Sequence, residues 1–245
     1  ELKITDELTI SGPGANLLTI DASGSDPTPS FKEGNGSRVF YLDDGATTLS
    51  NVSLSGMNIT GADVKADGGG IYSTDSLVLS DINIAWNYAR PTQSQTTLYG
   101  RGAGIFATGP LSFDNVRLFA NYSSGNGAGL YAVENIAADI DIKNSDFSGN
   151  KSNATGGGIY IAQIGPGSIS IEGTRFSGNA AGFNGFSANG GGLYISQTGS
   201  GDPGLVKIEN AIVIDNFGRG SGGGIYVRGS GDVVIDGNEF SNNFA

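Results

Sequence analysis

The chain has 245 residues, a formal net charge of −11, 42 glycines, and neither cysteine nor histidine. The negative charge disfavours nucleic acid and anionic lipid surfaces as partners, because phosphate groups attract basic patches. Disulfides and thiolate metal sites are excluded, and the commonest general base is missing. The glycines follow no three-residue period, which excludes a collagen-like helix. No apolar run reaches membrane-spanning length, so we expect no direct membrane insertion of this segment.

The chain opens with Glu1-Leu2-Lys3 rather than methionine. We expect residues 1–245 to form a single domain that belongs to a longer extracellular protein. A repeated motif that runs almost from end to end supports one elongated domain rather than two compact ones.

Three small residues, mostly glycine, precede an aliphatic and an aromatic residue six times along the chain. A degenerate seventh copy, Ser37-Arg38-Val39-Phe40, comes before them, with Val39 at the aliphatic position. Successive aliphatic positions lie 32, 34, 25, 29, 34 and 32 residues apart, a spacing typical of repeat architectures. The six full copies begin at Gly68, Gly102, Gly127, Gly156, Gly190 and Gly222.

A second motif alternates with the first. Each copy centres on a residue that tolerates positive φ, with apolar residues two and four positions before it and another three positions after it. The centres are Asp81, Asn115, Asn144, Gly173, Asn210 and Gly237. An asparagine follows each centre by six residues: Asn87, Asn121, Asn150, Asn179, Asn216 and Asn243.

Period-two alternation predicts strands with one apolar face, and a single left-handed residue predicts a sharp bend between two of them. Three strands and three corners per repeat predict an all-β fold, a right-handed parallel β-helix (solenoid) of about eight coils of three strands. With coils about 4.8 Å apart, the rod is on the order of 40 Å long. An antiparallel sandwich or barrel is the alternative. The identical register of every copy favours the β-helix.

Three ladders follow from this register. The aliphatic residues after the glycines stack inside, and the aromatic residues that follow them form an external stripe. The asparagines stack near a corner, each amide bonded to a neighbouring coil. The aromatic residues are Tyr72, Phe106, Tyr131, Tyr160, Tyr194 and Tyr226. Such a row of rings suits either sugar binding or stacking between coils.

These motifs resemble those of polymorphic outer-membrane proteins and related autotransporter passengers of bacteria. That family alternates a Gly-Gly-Ala-aliphatic motif with a Phe-x-x-Asn motif along a right-handed β-helix. Phe147-Ser148-Gly149-Asn150 and Phe176-Ser177-Gly178-Asn179 match the second motif fully, as does Phe240-Ser241-Asn242-Asn243. The resemblance covers nearly the whole chain, and it implies a secreted or cell-surface passenger that is often adhesive.

Parallel β-helices also host polysaccharide lyases, which need clustered carboxylates for calcium and a nearby Arg or Lys as base. Lys65 and Arg38 are the candidates for this base, because both are close in sequence to the acidic residues named next. For lyase chemistry, the catalytic candidates are Asp43, Asp44, Asp63 and Asp67. The alternative interpretation is that these acidic residues form a solvated turn. The sequence requires no cofactor. Asp202 and Asp232, in equivalent turns of adjacent coils, are the candidates for binding calcium, and turn chemistry is the alternative interpretation of both.

The segments between each asparagine and the next glycine motif vary most in length. Aromatic and arginine side chains on variable loops are the ingredients of a binding patch, although insertions are also simply tolerated there. The candidate binding-edge residues are Tyr88, Arg90, Tyr99, Arg101, Tyr122, Phe183, Phe186, Phe217 and Arg219.

The sequence favours a non-enzymatic extracellular β-helix, adhesin-like or a structural stalk, that presents one loop-bearing edge to a glycan or protein. Copies of the chain associated end to end are a further possible partner, since an uncapped β-helix end is an exposed strand edge. A calcium-dependent polysaccharide lyase is the alternative function.

Overall fold

The protein is described from a computed structural model, which covers residues 1–45, 50–90, 100–134, 138–185, 187–198 and 204–245. Its strands stack in parallel into three sheets that run along the molecule, as expected for a parallel β-helix. Every turn from Phe40 to Gly218 passes through all three sheets, so strands that are neighbours in a sheet come from successive repeats.

The glycine-motif sheet contains the strands that follow the glycine motifs. Adjacent strands of this sheet pair equivalent residues of successive repeats. Ile105, for example, is paired with Ile71 on one side and with Leu130 on the other. This sheet has eight strands, Leu2–Ile4, Phe40–Leu42, Ile71–Ser73, Ile105–Ala107, Leu130–Glu134, Ile159–Gln163, Leu193–Gln197 and Ile225–Arg228.

The long sheet has fourteen strands in two rows that meet at a bend. In two repeats the rows are one continuous strand, Ser76–Ala85 and Leu111–Phe119. The first row also contains Leu8–Ser11, Asn51–Ser55, Ile140–Lys143, Ile169–Glu172, Val206–Glu209 and Val233–Asp236. The second row also contains Thr19–Asp21, Asn58–Thr60, Asp146–Ser148, Arg175–Ser177, Ile212–Ile214 and Glu239–Ser241.

The short sheet is made of two-residue strands that begin directly after each ladder asparagine or its equivalent. The sequence motifs placed these residues in loops, because two residues are too few to show an alternating pattern. The six strands are Asp63–Val64, Tyr88–Ala89, Tyr122–Ser123, Lys151–Ser152, Ala180–Ala181 and Phe217–Gly218. A short 3-10 turn, Ser23–Ser25, lies in the first repeat.

The bend of the long sheet lies where the sequence predicted it. All six centres of the second motif have positive φ, between 49° at Asn144 and 64° at Gly237. A second left-handed position, directly before each ladder asparagine, was not recognised from the sequence. It is glycine in two repeats, but Trp86, Ala120, Asp215 and Asn242 adopt it as well, with φ between 52° and 57°.

The interior holds one large apolar core, and Val64, Ala89 and Ala103 form a small second cluster. The aliphatic ladder from Ile71 to Leu193 is fully buried, which confirms the predicted inner stack, whereas Ile225 is half-buried. Phe147 and Phe176 stack inside the same core with ring centroids 5.5 Å apart. Burying each such side chain stabilises the fold by about 1.5–3 kcal/mol.

One register prediction is wrong. The degenerate copy was aligned with Val39 at the inner aliphatic position, but the residue paired with Ile71 is Phe40, and Tyr41 is paired with Tyr72. A shift of one residue exchanges the two faces of a strand. Phe40 is therefore fully buried, and Tyr41 belongs to the outer stripe.

Candidate binding groove

The short sheet places two tyrosines side by side on the outside of the molecule. Tyr88 and Tyr122 are paired residues on adjacent strands, with ring centroids 6.1 Å apart and ring planes inclined by 32°. Phe183 packs edge-on against Tyr122 at 6.4 Å. Three of the predicted binding-edge residues thus form one aromatic cluster.

The hydroxyl of Tyr122 is fixed by two asparagine side chains. It donates to Oδ1 of Asn153 at 2.8 Å and accepts from Nδ2 of Asn184 at 2.9 Å. These residues belong to the two following repeats, so the ring is anchored by three layers of the β-helix. A ring held in this way loses little conformational freedom when a ligand packs against it.

Three cationic side chains lie over these rings. The Arg90 guanidinium is 5.2 Å from the centre of the Tyr122 ring, and the ammonium groups of Lys32 and Lys151 lie 5.0 Å and 4.7 Å from the Tyr88 and Phe183 rings. Each contact contributes about 0.5–1 kcal/mol at an exposed site.

The segment from Ser30 to Glu33 lines an open groove of about 1020 Å³ together with Lys65, Tyr88, Arg90 and Tyr122. Phe31 is 68% exposed, so a free aromatic ring stands at the edge of this groove. Phe31 and Lys32 could not be recognised from the sequence, because they lie in a segment that carries neither repeated motif.

Two buried carboxyl groups lie next to the groove. Asp63, in the strand adjacent to Tyr88, is fully buried and accepts the Gly34 N–H at 2.9 Å through Oδ2. Burial raises its pKa, and the positive charges of Lys32 and Arg90 partly oppose that rise. Asp26 is also buried, and its Oδ2 lies 3.7 Å from Nζ of Lys32.

The four acidic candidates for lyase chemistry have separate partners. Asp43 accepts the Tyr41 hydroxyl at 2.9 Å, which lowers its pKa, and Asp44 accepts the Ser50 hydroxyl at 2.7 Å. Asp67 forms an ion pair with Arg101, and Asp63 is buried beside the groove. Within the described ranges, no group of three or more acidic side chains is placed to hold a metal ion.

The remaining binding-edge candidates are dispersed. Arg101 lies on the outer face of the glycine-motif sheet, where its guanidinium stacks on Phe106 and Tyr131. Phe217 is in the short sheet three strands beyond Tyr122, and Arg219 is exposed near it.

Three candidates, Tyr99, Phe186 and Asp202, lie outside the described residues. Asp232 is exposed. Because residues 199–203 are not described, calcium binding by Asp202 and Asp232 stays a prediction.

The outer aromatic stripe is a continuous column. Seven rings, from Tyr41 to Tyr226, follow one another with centroids 4.9–5.2 Å apart and neighbouring planes within 13° of parallel. Phe106, Tyr131 and Tyr194 are only 6% exposed, since each ring face is covered by the next ring. A sugar needs a free ring face, so the column suits stacking between coils rather than sugar binding.

A comparison with models of protein families finds no match, and comparisons with curated proteins and with solved structures find no significant similarity. The resemblance to autotransporter passengers therefore stays a prediction from the sequence motifs. No helix among the described residues is long and apolar enough to cross a membrane.

Proposed function

We propose that this chain is a non-enzymatic β-helix, secreted or at the cell surface, that binds a carbohydrate in the groove lined by Tyr88 and Tyr122. The observation that carries the proposal is the combination of anchored rings, free aromatic faces and oriented amides in one open groove. Pyranose rings have an apolar face and a polar rim, and sites with aromatic walls and a few placed polar groups suit such ligands.

Phe31 and Phe183 supply the most accessible rings. They are 68% and 48% exposed, and Lys151 lies over one face of Phe183, as Lys32 and Arg90 lie over the half-buried Tyr88 and Tyr122. Asn153 and Asn184 hold their amides next to the Tyr122 hydroxyl, within reach of sugar hydroxyls in the groove. The rest of the molecule serves as a stalk, because its ladders support the groove from below and above.

An array of neutral, carboxylated and sulfated saccharides, followed by calorimetry on those retained, tests the proposal. Phe31→Ala and Phe183→Ala each remove an exposed ring, so each weakens binding about tenfold, the loss expected for one stacking contact. Phe244→Ala removes an equally exposed ring far along the short sheet and leaves affinity unchanged. An array without any retained saccharide contradicts the proposal.

The lyase alternative has its own decisive outcome. A purely binding function is overturned if the intact chain releases unsaturated sugars from a polyuronide in the presence of calcium. Loss of this release in Asp43→Ala or Asp44→Ala would assign it to these residues. Association of copies end to end also stays a prediction, and light scattering over a range of protein concentrations tests it.

A further inference from the structure

We infer that the saccharide is anionic, with carboxylate groups that meet the cations of the groove. This inference rests on the carbohydrate binding proposed above and names the substrate class of the same site. A protein with a net charge of −11 has placed four of its 13 basic residues, Lys32, Lys65, Arg90 and Lys151, at or beside one groove.

Three of these cations form no ion pair. Among the residues that the structure describes, these are Lys65, Arg90 and Lys151, whereas Lys32 lies 3.7 Å from Asp26. The charge of Arg90 acts on the buried Asp63 without an ion-pair contact. Five of the nine basic residues elsewhere are paired within the described part of the chain, for example Arg101 with Asp67 and Lys143 with Asp141. The groove therefore offers positive charge that the protein itself does not neutralise.

The carboxyl groups near the groove do not cancel this charge. Asp63 is fully buried, and Asp26 is engaged with Lys32. Glu33 is the one exposed carboxylate among the lining residues described, and it accepts a long 3.4 Å bond from the Thr28 hydroxyl. Even with Asp26, Asp63 and Glu33 all ionised, the four cations outnumber these three carboxylates.

Arg90 is positioned to bind a carboxylate. Its half-buried guanidinium is held against the Tyr122 ring, so its planar set of donors has a fixed orientation. A guanidinium can donate two parallel hydrogen bonds to one carboxylate, and such charge-assisted pairs are stronger than neutral ones. A uronic acid ring stacked on Phe183 or Phe31 would present its carboxylate to these cations.

An acidic peptide fits the groove less well. Peptides commonly bind by adding a strand to a free sheet edge. In the short sheet, the backbone N–H groups of Tyr88, Tyr122 and Lys151 already donate to the neighbouring repeat at 2.8–3.0 Å. Ring faces and side-chain amides are therefore what the groove offers, and these suit a saccharide.

Three probes test the inference: a galacturonate oligosaccharide, its methyl ester, and an oligoglutamate of the same charge. The ester keeps the sugar rings and removes the charge. We expect the wild-type protein to bind the acid at least about tenfold more tightly than the ester, and the difference to shrink as salt is added.

The triple variant Lys65→Gln, Arg90→Gln, Lys151→Gln tests the assigned residues. It should weaken binding of the acid at least about tenfold and binding of the ester little. The matched control Lys143→Gln, Arg175→Gln, Lys207→Gln removes the same formal charge from the long sheet and should change neither affinity. Equal losses in both triple variants overturn the assignment to the groove.

The other outcomes separate the two proposals. Equal binding of acid and ester overturns the anionic class and leaves carbohydrate binding standing. Binding of oligoglutamate as tight as that of the galacturonate overturns the choice of a saccharide over a peptide. Failure to retain any saccharide on the array removes both proposals together.

Discussion

The Nδ2 of Asn121 donates to Oδ1 of Asn150 at 3.1 Å, and the backbone N–H of Asn121 reaches the same oxygen at 3.1 Å. Asn150 repeats both bonds with Asn179 at 3.0 Å. The ladder continues from Asn87 to Asn243, and each of its Nδ2 atoms also donates to a strand carbonyl. The sequence predicted this ladder, and the structure confirms it.

Asn150→Ala should lower the stability of the β-helix by about 3 kcal/mol, because it leaves buried partners of four hydrogen bonds without a replacement. Urea unfolding followed by circular dichroism measures the change. Asn58→Ala is the control, since that amide makes one 3.4 Å bond to Thr19, and its effect should stay within about 0.5 kcal/mol. Similar urea midpoints for the two variants would contradict a structural role of the ladder.

The left-handed position before each ladder asparagine predicts a pair of opposite effects. Ala120→Gly should raise stability and Gly178→Ala should lower it, each by about 0.5–1 kcal/mol, because an L side chain strains positive φ. No atom lies within 4 Å of a Cβ built at Gly178, so backbone strain alone acts there. Ala154→Gly, at a position without positive φ, should instead lower stability in the same urea assay.

The aromatic column predicts a difference between losing a ring and losing a hydroxyl. Tyr131→Ala removes two stacking contacts, with Phe106 and Tyr160, and should cost about 2–3 kcal/mol. Tyr131→Phe keeps both contacts and loses only the 3.1 Å bond from Arg101, so it should cost about 1 kcal/mol or less. Equal thermal and urea midpoints for both variants would show that the rings contribute little.

Asp63 predicts a pH-dependent stability. Burial raises its pKa in the folded state, so the wild-type protein loses stability as pH rises from the ordinary aspartate pKa through the raised value. Asp63→Asn keeps an oxygen for the Gly34 N–H and carries no charge. The variant should gain stability relative to wild type as pH rises across that window, as measured by urea midpoints over a pH series.

Asp43→Asn serves as a control, because the effect of this substitution on stability should change with pH in the opposite direction. The Tyr41 hydroxyl lowers the pKa of Asp43, so the carboxylate stabilises the fold above the ordinary aspartate pKa and this contribution is lost as pH falls through the lowered value. Asp43→Asn should therefore lose stability relative to wild type at neutral pH. Two variants with the same pH trend would be incompatible with these assignments.

Much of the fold could be predicted from residues that recur at fixed positions. The bend at Asp81, the asparagine ladder and the column through Tyr131 all follow from one physical fact: stacked coils place like residues over like. The alignment of Phe40 failed because its repeat has Ser37-Arg38-Val39 where the others have glycines, so nothing in the motif fixed the register.

The groove could be predicted only in part. Tyr88, Arg90, Tyr122 and Phe183 were found as aromatic and cationic residues in variable segments. Their meeting with Phe31 could not be predicted, because it depends on how an unrepeated segment packs against the short sheet. The placement of Arg101 on the aromatic column could not be predicted either, because the segment of Arg101 extends from one sheet to another.

A single register along the chain supports every structural inference above, and cysteine cross-linking tests it directly in a protein without native cysteine. Val78 and Ser112 are paired on adjacent strands of the long sheet with outward side chains, about 4.8 Å apart, within reach of a disulfide. Val78→Cys/Ser112→Cys should cross-link fully under mild oxidation. Val78→Cys/Asp114→Cys, shifted by two residues to about 8 Å, should not. Preferential cross-linking of the shifted pair would contradict the stacked register.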